Sequence, residues 1–126
     1  MTDFKDQPEE RHVLPARRLA ENRRIDTPDG HKVFLSIGYD PKEISRPREV
    51  FYSAGFKSGS ALEFQLQDAC ILISMLLQHG LQPDAVAKSL ARTDQPNGDT
   101  AYASMTGLIV DEISKPPSWA EQTEKG

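Results

Sequence analysis

An α+β fold, with a small three-stranded antiparallel meander packed against about three helices in the order βββααα, is what three stretches of this sequence predict. The first is the alternation of Val33, Leu35 and Ile37 with Phe34 and Ser36, directly after Thr27-Pro28-Asp29-Gly30. A period of two marks a half-buried strand. The second is a long apolar segment between Ser60 and His79, closed by Gly80. The third is a pair of shorter helical patterns that follow Pro83. Strands first and helices after them predict one sheet and one helical layer.

Thr27 to Gly30 forms a turn for stated reasons: Pro28 presets φ, Asp29 bonds its own backbone and Gly30 accepts positive φ. The flanking segments therefore pair, Glu21 to Asp26 with His31 to Gly38. After a loop rich in proline and charge, Tyr39 to Pro47, Glu49 to Ser53 supplies the third strand. Three strands alone are marginal, so a helix must cover one face.

Ser60 followed by Glu63 fits a capping box, in which each side chain satisfies an orphan amide. Gly80 suits the left-handed position after the helix end. At about 100° per residue, Glu63, Gln67, Cys70, Ser74 and Gln78 form one narrow polar stripe and apolar residues occupy most of the rest. That pattern predicts a central helix, sandwiched between the sheet and later helices or partly covered by a second subunit, and hence a homodimer. Pro83 fits the first turn of the next helix with Asp84 at its positive end. Thr93 to Asp99 reads as a loop, and a third helix is expected from about Thr100 through Met105, Leu108, Ile109 and Ile113.

The chain has 126 residues, 37% hydrophobic, with a net charge of -4. One domain is expected at residues 11–114, with residues 1–10 and 115–126 as loosely ordered tails and 11–20 as an extended basic arm. Trp119 breaks the polar character of the second tail and is expected to dock. The acidic total gives no global attraction to nucleic acid or to an anionic membrane. One cysteine, Cys70, excludes an internal disulfide or a multi-thiolate metal site and suits a reducing compartment. The chain lacks a run near the roughly 20 apolar residues of a membrane span, and a cytoplasmic location is the expectation.

The candidate sites are two. Gly55, Lys57, Ser58, Gly59 and Ser60 join a strand to a helix start, where free amides and the dipole attract an anion. The same residues also serve as turn and helix cap, and both readings stand. The pattern is not a nucleotide-triphosphate loop. Arg11, Arg17, Arg18, Arg23 and Arg24 form a basic arm that either meets a phosphate-bearing ligand or lies along the domain's own acidic surface. Cys70 has no His or Lys at helical spacing and reads as structural. His79 reads as a helix-end cap, and Asp111 and Glu112 point in different directions. Neither catalytic residues, nor a metal, nor a cofactor are assigned.

RHVLPARR (Arg11 to Arg18), PREVFYSAGFKSGS (Pro47 to Ser60) and LLQHGLQPDAVAKSLAR (Leu76 to Arg92) resemble the TSCPD domain. That domain occurs near the end of adenosylcobalamin-dependent ribonucleotide reductases and in small stand-alone bacterial and prophage proteins. The resemblance covers roughly Arg11 to Ile113. It implies an accessory module linked to deoxyribonucleotide synthesis, whose partner is a nucleotide, a reductase or another nucleotide-pool enzyme. The Thr-Ser-Cys-Pro-Asp sequence itself is absent, and one thiol cannot supply the thiyl cysteine and the reducing pair of a reductase. The alternative is a small nucleic-acid-associated regulator of a mobile element acting through the arginine arm.

Overall fold

The computed structural model describes residues 10–120. The expectations for the two outer tails, at 1–9 and 121–126, lie outside these residues. Three strands, β1 (Leu19–Asp26), β2 (Lys32–Tyr39) and β3 (Pro47–Ala54), form an antiparallel meander in that spatial order. Helix α1 (Ala61–Gln78) and a short α2 (Pro83–Ala87) follow. A small hairpin, β4 (Arg92–Asp94) with β5 (Thr100–Tyr102), precedes α3 (Met105–Ser114). The α+β class and the meander are as the sequence predicts.

The turn at Thr27 to Gly30 and both ends of α1 have the physical counterparts that the sequence predicts. Gly30 adopts φ 92°, and the Thr27 hydroxyl accepts from the His31 amide at 2.8 Å, closing the β1–β2 turn. The register places Ile25, Arg23 and Glu21 opposite Val33, Leu35 and Ile37 on the face that the helices cover. Ser60 Oγ accepts from the Glu63 amide at 3.2 Å. At the other end the Leu81 amide reaches Leu76 O and the Gly80 amide reaches Leu77 O, with Gly80 at φ 100°, the paired bonds of a Schellman cap.

Two differences from the sequence reading concern the second half. The third helix begins at Met105, not near Thr100, because Thr100–Tyr102 pairs with Arg92–Asp94 across Asn97-Gly98. Gly98 takes φ 93° there, and the Arg92 guanidinium lies 4.4 Å from the Tyr102 ring centroid. The strands carry no apolar alternation, so period alone does not mark them. Ser104 caps α3 by accepting from the Gly107 amide at 3.0 Å. Gly107 is needed because a Cβ there would stand 2.9 Å from Tyr102 Cβ.

The larger difference is the setting of α1, which is not sandwiched. It runs beside β3, the edge strand, with its polar stripe turned inward: Cys70, Ser74 and Gln78 are buried, together with Leu66, Ile73 and Leu77. Leu62, Phe64, Ile71, Leu72, Met75 and Leu76 are exposed at 40–63%. The reason lies in the strand. An edge presents unpaired backbone amides and carbonyls, and a helix can cover them only with side chains that hydrogen-bond. Ser74 Oγ accepts from the Val50 amide at 2.9 Å and donates to Val50 O at 3.1 Å, while Gln78 Nε2 donates to Arg48 O at 3.1 Å.

The core between sheet and helices comprises Ile25, Val33, Leu35, Ile37, Tyr39 and Val50 against Leu66, Ile73, Leu77, Ile109, Val110 and Ile113. The segment after α3 packs as well, with Pro117 fully buried and Ala120 3% exposed. Trp119 docks edge-on to Tyr39, ring centroids 5.1 Å apart, and donates from its indole nitrogen to Ile44 O.

Ser74→Ala leaves the buried Val50 amide and carbonyl unpaired, so it is expected to destabilise the fold by about 1–3 kcal/mol. Leu72→Ser, four-tenths covered at most, is expected to cost under about 0.5 kcal/mol. Urea denaturation of the two variants beside the parent, at high dilution, checks the contrast, which reverses the ordinary order for a hydroxyl and a leucine.

Candidate functional site

The same edge pairing that fixes α1 also creates a recess beside it. Two residues along a strand advance about 6.8 Å and four along a helix about 6 Å. Arg48 and Val50 on β3 therefore meet Gln78 and Ser74 on α1 in step, and the next pair is Tyr52 with Cys70. A thiol is a weak hydrogen-bonding group, and there the bonded seam ends. Strand and helix part around a half-open groove of about 500 Å³. Phe51, Tyr52, Ile71 and Met75 give it apolar walls, Gln67 and Cys70 line its helix side, and Arg11 and Glu49 stand at one end.

Each wall is held from behind. The Tyr52 hydroxyl accepts from the Phe56 amide at 2.8 Å, which ties the groove to the loop after β3. Glu49 is 7% exposed and accepts from Arg18 Nη1 at 2.9 Å. Its side chain lies across Gly38, where any Cβ would collide with it. Arg11 donates from Nε to Gln78 Oε1, and the His12 amide donates to Gln78 O at 2.7 Å. His12 Nε2 lies 2.9 Å from Asp40 Oδ2. The Asp40 carboxyl is held below its ordinary range, first by the Lys42 amide and then by His12. The basic arm is thus laid over the C-terminal end of α1 and flanks the groove.

The five arm arginines are not gathered on one surface. Arg11 and Arg18 border Glu49, and Arg17 is exposed. Arg24 pairs with Asp26 at 3.3 Å on the outer side of β1. Arg23 lies inside, its side chain 9% exposed, donating to Glu21 at 2.8 Å, to Glu112 O at 2.7 Å, to Lys115 O at 3.2 Å and to the Tyr39 hydroxyl at 3.1 Å. It caps the end of α3, where carbonyls lack helical partners. The Glu21 carboxyl, though raised by burial, is brought net below its ordinary range by the Ser118 amide and Arg23.

The loop from Gly55 to Ser60 is occupied with its own capping. Gly55, at φ 146°, passes so close to β2 that a Cβ would lie 2.8 Å from Lys32 O. Glu63 Oε1 accepts from the Gly59 amide at 2.7 Å, and the Ser60 amide donates to Lys57 O at 3.0 Å. A carboxylate already sits at this helix start, the position a ligand anion would take, while Lys57 and Ser58 are exposed beside it. The residues that line the groove, Phe51, Tyr52, Gln67, Ile71 and Met75, are not among the sequence candidates. The signal was the polar stripe at spacing four, whose Ser74 and Gln78 bond an edge strand; stripes of this kind are ordinarily solvated.

Cys70 is 2% exposed, and burial pushes its thiol up to about 11. At neutral pH it is protonated and a poor nucleophile. Among the described residues no group of three or more His, Cys, Asp or Glu is placed to hold a metal ion. No helix among them is long and apolar enough to cross a membrane.

A family model described as the TSCPD domain matches residues 7–115. No curated protein and no solved structure matches the chain. The match spans most of the sequence, and the chain belongs to the TSCPD-domain family.

The thiol's shift fixes the sign of a pH effect. Between the ordinary value of 9.0 and about 11, the unfolded thiol loses its proton while the folded one keeps it. Stability present below pH 9 is therefore lost as pH rises toward 11, by up to about 2–3 kcal/mol. Denaturation of the parent and of Cys70→Ala across this range checks it: the parent's steeper loss is the expected result.

Proposed function

We propose that this TSCPD-domain chain is a non-catalytic accessory module linked to deoxyribonucleotide synthesis, and that its groove beside α1 holds a nucleoside or nucleotide. The observation that carries the reading is the groove itself, whose volume of about 500 Å³ lies within the range of small-molecule sites. Half-exposed Phe51 offers a face on which a base can stack. Gln67 offers both donor and acceptor to a base edge. The guanidinium of Arg11, at the end of the groove, suits a phosphate.

Binding without chemistry is the better reading because the one thiol in the groove is protonated and buried. The link to deoxyribonucleotide synthesis rests on the family's association with ribonucleotide reductases, and it makes a reductase or another nucleotide-pool enzyme the expected protein partner. The anion reading of Gly55 to Ser60 is the weaker one, since Glu63 bonds the Gly59 amide. The nucleic-acid reading is weaker too. Of the arm's five arginines, Arg23 is spent inside the fold and Arg18 and Arg24 on carboxylates.

Titration of the isotope-labelled chain with deoxynucleosides, their 5′-phosphates and inorganic phosphate tests the proposal. The amides of Phe51, Tyr52, Gln67 and Ile71 are expected to shift, with the 5′-phosphates binding more tightly than the nucleosides. Phe51→Ala is expected to weaken binding about tenfold or more, the loss of one stacked base. Groove amides unmoved by every nucleotide would overturn the reading, and shifts confined to residues 57–61 would return the site to the helix start.

A further inference from the structure

The groove uses one flank of α1, and the outward face of that helix is left uncovered among the described residues. Leu62, Phe64, Ile71, Leu72, Met75 and Leu76 are exposed at 48%, 54%, 57%, 63%, 40% and 40%. A half-exposed side chain of this size leaves on the order of 100 Å² in water. Together they make a patch of several hundred Å², at or above the largest patch of a typical monomer. With a polar rim it approaches the roughly 800 Å² per partner of a standard interface.

We infer that a second copy of this chain covers this face, the two α1 helices lying antiparallel about a two-fold axis that passes between Ala69 and Cys70. Three observations select this occupant over an unrelated protein. The first is the area, which suits a standard pairwise contact. The second is charge: the chain carries a net -4, yet on the outward arc of α1 Gln65 and Asp68 are the polar positions and Asp68 the single ionisable one. A face with one ionisable residue confines the repulsion between two like-charged molecules to the Asp68 pair, and a basic partner would find almost nothing else to pair with.

The third is self-complementarity. A two-fold contact brings residue i against j and j against i. With the axis between Ala69 and Cys70, Phe64 of each copy meets Met75 of the other, an aromatic ring against a thioether, which is a favourable contact. Asp68 lies in the middle of the outward arc, on one stripe with Phe64 and Leu72, about 4–5 Å along the axis from its copy, and is the one like-charge contact the pairing has to accommodate. The helix is presented rigidly for this purpose, because Ser74 and Gln78 bind its far side to β3.

Analytical ultracentrifugation of the whole chain at tens to hundreds of micromolar tests the inference, with Phe64→Glu and Leu72→Glu as variants. Both positions lie outside the groove lining, so circular dichroism and the denaturation midpoint at high dilution should match the parent. The parent is expected to sediment as a dimer and both variants as monomers. A parent that remains monomeric, or variants that dimerise as well as the parent, overturns the proposal. Orientation has its own readout. A mixture of Phe64→Cys and Met75→Cys chains treated with a short bismaleimide should link 64 to 75, whereas in the antiparallel pair two 64 positions lie roughly 16 Å apart along the axis. Linkage of 64 to 64 overturns the antiparallel arrangement. Loss of nucleotide shifts with the dimer intact would sink the groove reading alone.

Discussion

The backbone of an edge strand has to be satisfied, and in this fold Ser74 and Gln78 do it. Val50 offers an amide and a carbonyl and Arg48 a carbonyl, all directed away from β2. Left buried and unpaired, each would cost as much as a lost hydrogen bond. The helix therefore turns its hydroxyl and amide toward the sheet, and Leu62, Phe64, Leu72 and Leu76 toward solvent. The outward apolar face, the buried thiol and the groove past Tyr52 are all consequences of that one orientation.

How far the sequence foretold this differs by element. The meander was legible because Val33, Leu35 and Ile37 alternate cleanly and Thr27 to Gly30 can only turn. Both ends of α1 were legible too, since Ser60, Glu63 and Gly80 act through local bonds that need no tertiary context. The orientation of α1 was not, because a polar stripe carries the same period whether water or a strand edge satisfies it. The hairpin at Arg92–Tyr102 was hidden for a different reason: its strands have three residues each, too few to establish a period. Gly107, unfavourable in a helix by propensity, makes sense only once Tyr102 is seen against it.

The arm shows how composition and placement part company. Five arginines within residues 11–24 suggest one cationic surface, yet strand alternation separates Arg23 from Arg24 by turning them to opposite faces of β1. The inward one is stabilised by Glu21, Tyr39 and the carbonyls at the end of α3, and a buried guanidinium needs that number of partners. Arg11 and Arg18 are drawn to the buried end of β3 by Gln78 and Glu49. What remains near the groove is a pair of cations beside one carboxylate, a setting that suits a single phosphate better than a polyanion.

Anchorage along α1 is uneven, and that unevenness locates the groove. Its C-terminal carbonyls are met by Arg48 at Leu77 O, by the His12 amide at Gln78 O and by Arg46 at Gly80 O just beyond the helix. Cations at this end also complement the helix dipole. Toward the N-terminus the bonded seam stops at Ser74, and inward contacts continue through Ile73, Cys70 and Leu66 alone. The groove opens along this less tightly held half, between a helix fixed firmly at one end and a strand fixed by its neighbours. Ile71 and Met75 belong both to its wall and to the edge of the outward face. Whatever covers that face therefore touches the groove's lip, and the fold couples the two surfaces through the same pair of side chains.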